Sequence, residues 1–195
     1  MIDALKSISQ KSWFLLALVA LAQILALVWM VAGRVTLLSS GREVVLKTVP
    51  VDPRSLFRGD YVRLGYKISL IEGTDLPRKL NATQKKPIYV TMRVKGRVPA
   101  ELVTVSQLKP ASLKPDEVVI RGLTTNVWRI ADDKRHVRIR YGIERYYVPE
   151  GEGKRLERMV GKNNFAVLVA VADDGEAAIK GLMINGKLQY EEPLF

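Results

Sequence analysis

Asp52-Pro53-Arg54-Ser55-Leu56-Phe57-Arg58-Gly59-Asp60-Tyr61-Val62-Arg63-Leu64-Gly65-Tyr66 is a charged turn that runs directly into an alternating strand. Pro53 fixes its own φ and pushes Asp52 toward extended geometry. Asp52 can accept backbone N–H groups of the turn that follows. Gly59 supplies a permissive backbone angle ahead of the strand. Beyond it, Val62, Leu64, Tyr66, Ile68 and Leu70 alternate with Arg63, Gly65, Lys67 and Ser69, the period of a half-buried strand.

The same period recurs downstream. Ile88, Val90, Met92 and Val94 alternate with polar neighbours, and Val137, Ile139 and Tyr141 alternate with His136, Arg138 and Arg140. Further strands are expected around Val44–Val49, Leu102–Val105, Val118–Thr124, Phe165–Val171 and Ala178–Ile184. Asp173-Asp174-Gly175 and Asn185-Gly186 are hairpin-turn signals. Gly73–Pro87 reads as a loop, and Lys109–Asp116 as a connection between two halves of one domain. Glu152–Gly161 is the one short helix candidate, with Leu156, Met159 and Val160 on one face. The fold class is therefore mainly β: a single transmembrane helix, then one antiparallel β-rich domain with one short helix. Periodicity does not separate barrel from sandwich.

The membrane helix is read at the N-terminus. From Trp13 to Ala32 the chain is almost wholly apolar, interrupted only by Gln23. About 20 such residues span a hydrocarbon core of about 30 Å. Trp13 and Trp29 sit near its ends, where amphipathic rings prefer the interface. The run is longer than a signal-peptide core, and Val31-Ala32-Gly33-Arg34 is a poor cleavage site. The expected organisation is a leader at 1–12, an anchor at 13–33 and a soluble domain at 34–195. A short basic leader with Lys6 and Lys11 ahead of a large domain favours a cytoplasmic N-terminus. In a bacterium this gives a single-pass inner-membrane protein with an extracytoplasmic domain.

Roughly 160 residues after the anchor suffice for one real core. The chain carries a formal net charge of +11 and a pI near 9.9. Such a domain attracts anionic lipid, an envelope polymer or an acidic protein face. It shows no nucleic-acid-binding module. Cysteine is absent, so thiol chemistry and disulfides are excluded. His136 is the single histidine, which excludes a histidine-based metal cluster or a Ser-His-Asp site using another histidine. No phosphate loop or dinucleotide fingerprint occurs, and no cofactor or metal is expected.

Two blocks carry the candidate site. The first holds Asp52, Arg54, Arg58, Gly59, Asp60, Tyr61 and Tyr66; the second, within Tyr141–Gly153, holds Tyr141, Glu144, Arg145, Tyr146 and Glu150. Each has a plain structural reading, a braced turn or strand end with carboxylate–guanidinium pairs. Each also has a functional one: arginines for acidic groups, tyrosines for rigid contact area.

Gly59-Asp60-Tyr61-Val62-Arg63-Leu64-Gly65-Tyr66 has the form Gly-Asp-Tyr-x-x-Leu-x-Tyr and resembles the bacterial membrane-anchored family named for that motif. Asp52-Pro53-Arg54, Tyr141-Gly142-Ile143-Glu144-Arg145-Tyr146, Pro149-Glu150-Gly151 and the apolar helix fit the same family, so the resemblance covers most of the chain. It implies a single-span envelope protein without an assigned activity. Family members often accompany a polytopic membrane protein, which implies a membrane complex. A partial similarity to signal peptidases around Gly59-Asp60 leaves Val51 where their nucleophilic serine stands, Arg54 on their proline and Ser55 four residues late. It supports no peptidase activity, even with Lys95 as a base. The expected function is an accessory or binding subunit of an inner-membrane complex. The alternatives are a carboxylate hydrolase of envelope glycan or lipid-linked substrate using Asp60, Glu144 or Glu150, and a basic lipid-binding module.

Overall fold

A computed structural model describes residues 2–49, 61–73, 76, 86–129, 135–147 and 165–191, with the backbone alone for 2–12, Tyr61 and Arg129. The chain divides into two compact units, 1–36 and 37–195. The first is helical. Helix α1 spans Ile2–Ser40, and its stretch Trp13–Ser40 is long and apolar enough to cross a membrane. It runs past Gly33 because its last turn finds apolar partners: Leu37 and Leu38 bury against Ala170 and Ala178. Gly41 ends it in close quarters. A Cβ there would stand 2.5 Å from the Leu37 carbonyl oxygen and 3.1 Å from the Ala170 Cβ.

The second unit is built of short antiparallel strands, in keeping with the mainly-β expectation. In chain order they are β1 (Arg42–Val49), β2 (Tyr61–Arg63), β3 (Gly65–Tyr66), β4 (Leu70–Gly73), β5 (Pro87–Arg93), β6 (Glu101–Ser106) and β7 (Glu117–Arg129). Then follow β8 (Arg135–Arg140), β9 (Arg145–Tyr147), β10 (Phe165–Val171), β11 (Ala177–Ile184) and β12 (Lys187–Glu191). One five-stranded sheet has the order β12-β11-β10-β1-β3, the other β4-β8-β7-β5-β6, and β2 and β9 form a separate ribbon. The two sheets share one core, so the architecture is a sandwich.

The alternating positions supply that core. Val44 and Leu46 on β1 and Val167 and Val169 on β10 belong to the same cluster as Ile88, Val90 and Met92 on β5 and Val137 and Ile139 on β8. Each such side chain contributes about 1.5–3 kcal/mol relative to exposure. The sheets are also tied through the β10–β11 turn. Gly175, at φ +88°, donates its N–H to Ala172 and accepts the Arg121 N–H of β7 at 2.8 Å, where β8 has ended. A Cβ on Gly175 would lie 2.9 Å from the Arg121 nitrogen, so the turn needs glycine for space as well as for φ. Asn185 and Gly186, at φ 51° and 78°, make the β11–β12 turn.

Three expectations need correction or a boundary. Val62 to Leu70 is not one strand. A 3₁₀ turn at Lys67–Ser69 carries the chain from the edge of one sheet to the edge of the other, and the phase flips across it. Ile68 and Ile71 are buried while Leu70 is 40% exposed. Lys109–Asp116 does not separate two halves: it joins β6 to β7, which flank β5 in one sheet. The helix candidate Glu152–Gly161 and most of the Gly73–Pro87 loop lie outside the described residues. His136 is a strand residue, as expected, but a buried one. Its ring stacks on Trp128 at 5.6 Å and its Nδ1 faces Glu72 at 3.2 Å.

Candidate functional site

The two sequence blocks meet. Strand β2 from the first pairs with β9 from the second, with Tyr61 opposite Tyr147, Val62 opposite Tyr146 and Arg63 opposite Arg145. The Leu64 N–H then donates to the Glu144 carbonyl at 3.0 Å, which extends the ribbon toward the sheet corner. Alternation gives the ribbon two faces. Val62 and Tyr146 are buried on one, and Leu64, Tyr66, Tyr141 and Ile143 continue that apolar side into the core. Arg63, Arg145 and Tyr147 are exposed, Tyr147 to 70%.

Below the ribbon the blocks are clasped by a reciprocal pair of tyrosines. The Tyr66 hydroxyl donates to the Ile143 carbonyl at 2.5 Å, and the Tyr141 hydroxyl donates to the Ile68 carbonyl at 2.7 Å. Each phenol thus reaches the carbonyl two residues beyond the other tyrosine. Both rings are buried, and an unmet backbone carbonyl there would cost about 1–3 kcal/mol. The turn between β8 and β9 is held by Glu144. Its Oε1 accepts the Tyr141 N–H at 2.5 Å and its Oε2 the Gly142 N–H at 3.1 Å. Burial, and then the negative charge of Glu144, push both phenols well above the ordinary tyrosine pKa of 10.0. They stay protonated donors across the physiological range.

Of the candidate site residues, Tyr66, Tyr141, Glu144, Arg145 and Tyr146 therefore come together, and the Tyr61 backbone joins them. Asp52, Arg54, Arg58, Gly59, Asp60 and Glu150 lie outside the described residues. The roles divide in a way the blocks did not announce. Tyr66, Tyr141 and Tyr146 are buried, so they do not provide the surface area expected of them. The Glu144 carboxylate is engaged by backbone rather than by Arg145. Arg63, absent from the candidate set, and Tyr147, a tyrosine of the second block suited to a binding surface, share the exposed ribbon face with Arg145. The signal for them was in the alternation: Arg63 lies between Val62 and Leu64, and Tyr147 follows the inward Tyr146. Among the described residues no group of three histidine or acidic side chains is placed to hold a metal.

These observations define a class: a β-sandwich behind an N-terminal helix of membrane-crossing length, with a two-block ribbon at one corner. The GDYXXLXY protein family model matches residues 23–182, and the chain belongs to that family. No curated protein and no solved structure matches it.

Proposed function

We propose that the chain is a membrane-anchored, non-enzymatic accessory subunit of a bacterial inner-membrane complex. Helix α1 would span the membrane with its N-terminus in the cytoplasm, and the sandwich would lie on the extracytoplasmic side. The ribbon uniting the 52–66 and 141–153 blocks would meet an acidic surface of a polytopic membrane protein. The observation that carries this reading is the ribbon's exposed face. Arg63 and Arg145 stand directly opposite each other there, beside the exposed ring of Tyr147. Guanidiniums on an exposed face can take a carboxylate or phosphate in charge-assisted bonds. Arginine and tyrosine are also the side chains from which binding hot spots are built.

The test is to tag the full-length chain, cross-link it in native membranes and identify what co-purifies in mild detergent. A stoichiometric polytopic partner, lost on Arg63→Glu with Tyr147→Ala while the fold persists, is the expected result. A chain that emerges alone, or a partner retained by the double variant, sinks the reading.

A further inference from the structure

Three of the large apolar side chains exposed on the sandwich meet at one groove. Val49, Leu70 and Leu102, between 38% and 45% exposed, line a single groove of about 720 Å³, and Val98 and Val103 lie beside it in sequence. The groove follows the seam between the sheets, where the edge of β1 passes between the 3₁₀ corner and the start of β6. Its depth reaches core residues: Leu46, Tyr66, Ile68 and Ile71 form its inner wall. Its size falls in the range of small-ligand sites, about 300–1,000 Å³.

The rim carries four charges, Lys47, Lys67, Glu72 and Glu101. Glu101 is ion-paired with Lys95 at 3.5 Å, and Glu72 faces the His136 Nδ1 at 3.2 Å, an ion pair only when the imidazole is protonated. Among the described residues Lys47 and Lys67 have no ion-pair partner and are exposed. Lys47 and Lys67 outnumber Glu72, the one rim carboxylate without a permanently cationic partner, so the slot is net positive. A peptide strand would have to pair with the outer edge of β4 or β6. The Val45 carbonyl on the edge of β1 is taken by the Ala100 N–H at 2.8 Å, and Thr48 and Val49 are covered by β3. On β1, therefore, little free edge is left to template an added strand. A hydrocarbon tail requires no such pairing.

We propose that this groove binds a single-chain fatty carboxylate, with its tail between the sheets against Leu46, Ile68 and Ile71 and its carboxylate between Lys47 and Lys67. The site is separate from the exposed ribbon face and does not depend on the partner reading. Tyr66, whose hydroxyl clasps the ribbon, is also one of the groove's lining residues.

The test uses the full-length chain in phosphatidylcholine nanodiscs, a photoreactive palmitate analogue, and peptide mapping by mass spectrometry. Label is expected on residues 46–49, 66–72 and 99–102, competed by oleate and not by phosphatidylglycerol added to the disc. Leu70→Asp and Leu102→Asp, on opposite walls and both at partly exposed positions, should each lower this label about tenfold while thermal melts stay close to wild type. Lys47→Glu with Lys67→Glu should lower labelling by the carboxylate severalfold and leave labelling by the matching photoreactive alcohol unchanged. Label confined to residues 13–40 overturns the proposal. So does wild-type labelling of Leu102→Asp, an equal loss of acid and alcohol labelling in the lysine variant, or competition by phosphatidylglycerol alone.

Discussion

The two faces of the β2–β9 ribbon come from the same residues of sequence and do opposite work. The inner face holds Val62, Leu64, Tyr66, Tyr141, Ile143 and Tyr146, all buried. The outer face holds Arg63, Arg145 and Tyr147, all exposed. The described side chains that the family motif specifies, Leu64 and Tyr66, both belong to the inner face. Of the two positions it leaves open between Tyr61 and Leu64, Val62 is buried and Arg63 is exposed. Among the described side chains, the motif therefore specifies how the corner is built.

Substitutions can break this division. The largest effect is expected from Tyr66→Ala or Tyr141→Ala. Each removes a buried ring and orphans a carbonyl, at about 3–5 kcal/mol in denaturant unfolding of the detergent-solubilised chain. A loss below about 1 kcal/mol would show that the clasp is ornamental. Next, Tyr66→Phe and Tyr141→Phe keep the ring and should each cost about 1–2 kcal/mol, the share of the hydroxyl and its carbonyl partner. Glu144→Ala should cost a similar amount, because the Tyr141 and Gly142 N–H groups lose a charged acceptor.

The pH dependence follows from the same burial. Both phenols have folded-state pKa values raised above 10.0, so below that pH they are neutral in folded and unfolded chains alike. Above it the unfolded chain releases protons that the folded chain keeps. Stability should therefore fall as pH rises above about 10 and through the folded-state pKa values. The Phe variants should show a shallower decline; an unchanged slope would assign the alkaline loss to other groups. The smallest effect on stability is expected from Arg63→Ala and Tyr147→Ala, within about 0.5 kcal/mol. Their effect should appear in partner recovery instead, about tenfold for the stronger of the two.

Much of the sandwich was legible because its strands bury one face at a time. Ile88, Val90 and Met92, and Val137 and Ile139, occupy the positions their alternation gave them. The 3₁₀ corner was not legible, since Lys67-Ile68-Ser69 keeps an alternating pattern while the backbone turns from one sheet to the other. Strands β9 and β12 were too short and too polar to stand out. The candidate site was half legible. The phase of the alternation had already grouped Tyr66 with Val62 and Leu64, and Tyr141 with Val137 and Ile139, on the buried side. A tyrosine carries both an apolar ring and a polar tip, and composition alone does not say which end the fold will use. The carbonyls of Ile68 and Ile143 decide it, and only the meeting of two distant segments reveals them.

The clasp also sets an order of events during synthesis. Its two hydrogen bonds close chain loops of 77 and 73 residues, and β1 waits for β10 across a longer interval still. Contacts of such high sequence separation form late and slowly. A ribosome or translocon releasing the chain from its N-terminus would deliver residue 66 long before residue 143. The first block emerges without its complement, with Leu64 and Tyr66 uncovered. Any partner that engages the ribbon therefore reads a completion mark: the surface exists only once the nascent domain has been released through residue 147.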